Sequence, residues 1–120
     1  MSSIDTGGAE SADTKSKIRA LNDALRQGNV EQGMILVTSG ISAMGGAFIA
    51  EALGSVARFD VFTADNDPYG EHDFGALTVQ GEKVFWKIDC YDLAMEAHSP
   101  DPADPAVTKR VLTIMLASEY

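Results

Sequence analysis

The residues with the most chemical potential lie together. The run Asp65-Asn66-Asp67-Pro68-Tyr69-Gly70-Glu71-His72-Asp73 places five ionisable side chains, Asp65, Asp67, Glu71, His72 and Asp73, within nine positions. Carboxylates beside an imidazole could hold a divalent cation, since hard oxygen ligands suit magnesium, calcium or manganese and a nitrogen ligand biases a site toward transition metals. Asp65, Asp67, Glu71 and His72 would be the ligands. The calcium-loop template fails: Asp65, Asp67 and Gly70 match its first, third and sixth positions, but Tyr69 stands at the fifth and Ala76 at the twelfth, where a bidentate glutamate belongs. An acid-base reading takes His72 as general base oriented by Asp73, Asp65 or Glu71, yet no hydroxyl or thiol nucleophile stands at a recognisable spacing. A structural reading competes with both. Asp65, Asn66 and Asp67 readily bond their own following amides and Pro68-Tyr69-Gly70 is an ordinary turn, which leaves a shaped loop or a protein-contact surface.

The loop sits inside a wider imbalance. Residues 60 to 104 carry eleven acidic groups against Lys83 and Lys87, whereas the rest of the chain carries seven of each sign, so the net charge of -9 comes from one contiguous stretch. Direct binding of nucleic acid is disfavoured, because phosphates need a positive surface. A basic protein surface or a cation is the expected partner. Trp86, Lys87, Asp89, Asp101 and Asp104, in the same stretch, are secondary candidates.

Elements that would position these residues follow from periodicity. A first helix is expected from Ser16 as cap to about Gln27, with Ile18, Leu21 and Leu25 on one face and Gly28 as its stop. Met34-Ile35-Leu36-Val37 reads as a buried strand opened by Gly33. Thr38-Ser39-Gly40 turns the chain, and a second helix carrying Phe48, Ala52, Leu53 and Val56 ends near Arg58. This strand, glycine turn and helix do not make a phosphate-binding loop, since neither Gly40 nor Gly45 is followed by the required Lys and Ser/Thr. Phe74 to Val79 and Val84 to Tyr91 read as a hairpin across Gln80-Gly81-Glu82-Lys83, with Val84, Trp86, Ile88 and Cys90 facing the core. Ser99-Pro100-Asp101-Pro102-Ala103-Asp104-Pro105 is a rigid connector. Asp104 and Pro105 then signal the start of a last helix through Val107, Val111, Ile114 and Met115. The order helix, strand, helix, strand, strand, helix predicts a two-layer α+β fold, with helices on one face of a small three-stranded, antiparallel-containing sheet.

At 120 residues, 45% hydrophobic and 22% charged, the chain suits one globular domain, taken as residues 16–120 behind a flexible tail of residues 1–15. The start has neither a basic stretch nor an apolar one, and later apolar runs fall short of the roughly 18 residues that span a bilayer. Cys90 is the single cysteine, which excludes an internal disulfide and a four-thiolate zinc site, and suits a small buried hydrophobe. A cytoplasmic location is expected.

Three strings carry a resemblance: Phe59 to Gly75 (FDVFTADNDPYGEHDFG), Val84 to Asp89 (VFWKID), and Ser99 to Pro105 (SPDPADP) followed by Arg110 to Leu116 (RVLTIML). They resemble a bacterial family of unknown function, DUF3768, over roughly Ile18 to Tyr120. The resemblance implies a short bacterial cytoplasmic protein of a kind often carried on plasmids and other mobile elements, and it transfers no catalytic residues. Three functional readings follow. The first is a small binding or regulatory protein whose acidic surface engages a basic patch, with inhibition of a nucleic-acid-processing complex by imitation of DNA charge as its narrower version. The second is a metal-dependent or acid-base enzyme centred on Asp65 to Asp73. The third is a subunit of a homo-oligomer, since helices on one side leave a sheet face and an edge open.

Overall fold

The computed structural model describes residues 12–31 and 33–120. Helix α1 (Ala12–Arg26) begins earlier than the cap expected at Ser16: Asp13 lies in its first turn and pairs with Lys17 at 3.5 Å, while Ser16 Oγ accepts from Arg19 Nη2. Residues 12–15, assigned to the tail from the sequence, are therefore helical, and residues 1–11 lie outside the description. Strand β1 (Gly33–Val37) forms where expected but is not the buried strand read from its apolar run: it lies at the sheet edge, its residues are at most half-buried, and Leu36 is exposed. The Thr38-Ser39-Gly40 turn continues into a short helix, α2 (Ser39–Ala43), before α3 (Gly46–Arg58).

Strands β2 (Phe74–Val79) and β3 (Glu82–Tyr91) make the predicted hairpin. Its turn is tighter than expected. Only Gln80 and Gly81 lie outside the strands, and both have positive φ (51° and 84°), the backbone a two-residue turn of the I′ kind requires.

The largest correction is the last element. Asp104 does cap a turn, its Oδ1 accepting from Ala106 N at 2.9 Å with Pro105 next, but that turn is a single 3-10 turn over Pro105–Val107. Lys109–Leu116 is a strand, β4. Its apolar run is buried on both faces, a pattern that helical spacing cannot separate from a buried helix. The β-branched Val111, Thr113 and Ile114 suit the strand better.

The predicted three-stranded sheet is thus a four-stranded mixed sheet in the order β1-β4-β3-β2, with β1 parallel to β4 and the other neighbours antiparallel. Val84, Trp86 and Ile88 face the core with Leu112 and Ile114 of β4 and with Leu25, Ile41, Phe48, Ala52 and Val56 of the helices. The α+β class and the one-sided placement of helices therefore hold. Gly75 pairs with Trp86, and a Cβ there would lie 2.6 Å from Cε2 and 2.8 Å from Cζ2 of the indole. Glycine lets the largest core side chain lie flat across β2.

After β4 the chain closes on itself. The Glu119 carboxylate accepts from Thr38 Oγ1 (2.6 Å), Leu116 N (2.8 Å) and Gly40 N (3.0 Å), and these bonds hold its carboxyl below the ordinary range.

Candidate functional site

One face of α1 organises the acidic loop. Ile18, Asn22, Leu25 and Arg26 are its buried residues, so a polar amide and a guanidinium stand on a face that periodicity would fill with apolar groups. Arg19 Nη1 donates to Gly70 O at 3.1 Å and Asn22 Nδ2 to Glu71 O at 2.9 Å. Arg26 Nη1 donates to Val56 O (2.6 Å) and Phe59 O (3.1 Å), and its Nη2 to Asp23 Oδ1 (2.7 Å). These bonds reach backbone carbonyls of the loop, at Gly70 and Glu71, and of the C-terminal end of α3, at Val56 and Phe59.

His72 completes the clasp. Its Nδ1–H donates to Asp23, 2.9 Å from Oδ1, and its Nε2 lies 3.6 Å from Asp67 Oδ2. The ring stacks on Phe62 at 3.6 Å between centroids and 4° between planes. The Arg26 guanidinium covers Phe62 and Trp86 at 5.3 and 5.0 Å from their ring centroids. Asp67 is buried and accepts from His72 N at 3.1 Å, while Asn66 Oδ1 accepts from Thr63 N at 2.8 Å. Asp67 thus does the shaping work expected of an Asx residue, whereas Asn66 shapes the loop through backbone behind it, Thr63 N and Val61 O, rather than through a following amide.

Beyond the clasp, the loop, α1, β3 and the connector enclose a cleft of about 230 Å³ lined by Ile18, Asn22, Glu71, Asp73, Ile88, Asp89, Cys90, His98 and Pro102. Burial, followed by the charges of Asp67 and Asp89, pushes the Asp73 carboxyl up against an opposing backbone hydrogen bond. Asp89 pairs with Lys87. Burial, the largest cause, together with Glu71, Asp73 and Asp89, also raises the Cys90 thiol, with Arg110 opposing, so the sulfur is a poor nucleophile. Arg110 lies behind the cleft, with its Nε bonded to Asn22 Oδ1 at 2.8 Å and its Nη2 to Pro102 O; burial lowers its pKa. The connector is fixed by Ser99 Oγ and Thr108 Oγ1, 2.7 Å apart, and by Thr108 Oγ1 donating to Asp101 O.

The description "Protein of unknown function (DUF3768)" matches residues 37–119. The chain belongs to the DUF3768 family. The match starts later than the Ile18 read from the sequence, so the α1 residues that clasp the loop lie outside it. No curated protein and no solved structure matches this DUF3768 chain.

Set against the sequence reading, the candidate residues of this DUF3768 protein separate into groups. Glu71 and Asp73 reach the cleft with Asp89, Asp67 and His72 belong to the clasp, Asp65 is exposed, and Tyr69 is 67% exposed. Asp65, Asp67, Glu71 and His72 do not form one ligand set: among the described residues no group of three or more His, Cys, Asp or Glu could hold a metal ion. Trp86 is fully buried in the core, and the Asp101 and Asp104 carboxylates accept from backbone N–H groups of Ala103 and Ala106. Among the described residues no helix is long and apolar enough to cross a membrane. Asn22, Asp23, Arg26 and Arg110 were missed. The signal for Asn22 and Arg26 was their position beside Ile18 and Leu25 on the apolar face of α1.

Proposed function

We propose that the protein is a binding module whose acidic cleft receives a lysine or arginine side chain from a basic protein partner. The observation that carries this reading is that Glu71 and Asp73 from the loop both line one cleft of about 230 Å³, which Asp89 of β3, already paired with Lys87, also borders. Asp73 forms no ion pair among the described residues, and its raised carboxyl is crowded by like charge. An incoming cation would relieve that crowding, and charge complementarity would also speed encounter. The catalytic alternative has weaker support, because both His72 nitrogens face carboxylates and Cys90 is held as a thiol.

The test is calorimetric titration with a lysine- and arginine-rich peptide at physiological ionic strength. Glu71→Gln combined with Asp73→Asn should weaken binding at least tenfold. Asp60→Asn combined with Glu96→Gln, an equal loss of charge outside the cleft, should change it little. Equal weakening by both pairs would reduce the effect to overall charge and end the proposal.

A further inference from the structure

Arg110 faces two ways. It stands behind the acidic cleft, and it also lines a separate pocket of about 100 Å³ between the C-terminal half of α1, the start of β1 and the 3-10 turn. The residue is 5% exposed and forms no ion pair among the described residues. Its Nε and Nη2 are held by neutral acceptors, Asn22 Oδ1 and Pro102 O, whereas Nη1 has no hydrogen-bond partner among the described residues. Two side-chain polar atoms there are both unpartnered and sealed from solvent, Arg26 Nε and Trp86 Nε1, and Arg110 Nη1 is not one of them. That nitrogen is therefore unpartnered but reachable, and the pocket is the open space that its residue borders. A buried guanidinium without a counter-charge is a costly arrangement, and an anion seated beside it would offset the cost.

The other walls select the anion. Leu21, Ala24 and Leu25 of α1 and Pro105 of the 3-10 turn line the pocket with apolar surface, so one cationic donor stands in an aliphatic setting. A carboxylate matches the planar donors of a guanidinium, and a short alkyl chain suits the walls. Glu31 also lines the pocket and is exposed, which puts a carboxylate at the mouth. Its charge opposes a second negative group on the ligand and so disfavours phosphate and dicarboxylates. The volume of about 100 Å³ holds roughly three waters at about 30 Å³ each, so the enclosed part of the ligand is only a few heavy atoms.

We infer that this pocket binds a free short-chain monocarboxylate, with its carboxylate on Arg110 and its alkyl chain against Leu21, Ala24 and Leu25. The site is independent of the acidic cleft, which takes a cation. Titration of the isotope-labelled full chain with sodium butanoate at millimolar concentrations, against sodium chloride of equal ionic strength, should shift the Gly33 and Arg110 amide resonances saturably and raise the melting temperature. Sodium succinate and sodium phosphate should bind at least tenfold more weakly. Ala24→Leu fills the pocket from the helix without removing a bond of Arg110, so it should abolish binding while circular dichroism shows an intact fold. Arg110→Gln should abolish binding too. Because that variant also loses the bond to Asn22, Ala24→Leu decides the matter if Arg110→Gln does not fold. Glu31→Gln should tighten butanoate several-fold and narrow its advantage over succinate. No saturable shift with butanoate, binding that Ala24→Leu leaves unchanged, or equal binding of butanoate, succinate and phosphate would each overturn the inference.

Discussion

Asn22 ties three parts of the molecule together with one side chain, so its replacement tests how the loop is positioned. It is 1% exposed, donates to Glu71 O at 2.9 Å and accepts from Arg110 Nε at 2.8 Å. Asn22→Ala removes both bonds and leaves a loop carbonyl and a buried guanidinium N–H without partners. A neutral hydrogen bond contributes about 1 kcal/mol and one to a charged group about 1.5–3 kcal/mol, so the expected loss is about 3 kcal/mol. For a domain of this size that lowers the melting temperature by about 15 °C. Asn22→Asp keeps the acceptor for Arg110 but sets a carboxylate oxygen against Glu71 O, so it should cost less, about 1 kcal/mol, entirely on the loop side. Urea unfolding followed by the emission of Trp86, the single tryptophan, reads both values. Amide exchange of residues 70–73 should accelerate in both variants. A loss below about 1 kcal/mol for Asn22→Ala would refute the bridging role.

Other expectations are as specific. Gly75→Ala forces a methyl against the fully buried Trp86 indole and should destabilise by about 2–3 kcal/mol in the same unfolding assay, whereas a neutral result would mean the strand pairing is wrong. The Asp73 carboxyl is raised above its ordinary 3.8, so as pH rises from that value through the folded one the native chain retains a proton that the unfolded chain has released, and stability falls. Asp73→Asn should therefore gain in melting temperature relative to wild type as pH rises through that window; a constant difference would show that the carboxyl is not perturbed. Cys90 should react with iodoacetamide about tenfold or more slowly than a free thiol at about pH 8 and at the ordinary rate in denaturant, and a fast native reaction would contradict its burial.

Much of the architecture was legible because local signals and tertiary packing agreed. The hairpin is the clearest case: alternation from Val84 to Cys90 and the glycine at position 81 both pointed to the pairing that exists. β4 was misread because a central strand covered on both faces loses its alternation, and because a real cap at Asp104 stands directly before it. The acidic loop was recognisable from composition, and the shaping role of Asp67 followed from ordinary turn chemistry, while Asn66 bonds backwards to Thr63 and Val61. The division between clasp and cleft was not legible. It depends on α1 residues far away in sequence: Asn22 and Asp23 each meet loop partners 49 positions away. Long-range bonds of that kind leave no local periodicity, only the anomaly of an amide and a guanidinium on an apolar helical face.

The strand order has a consequence for how the protein is made. β1 bonds only to β4, and β3 reaches β1 only through β4, so the last of the four strands in chain order supplies the middle of the sheet. A nascent chain ending anywhere before Lys109 would hold an orphan strand and a detached hairpin, with no seam to join them. Assembly must wait for β4, and termination before it would yield fragments suited to clearance by proteases rather than a smaller working protein.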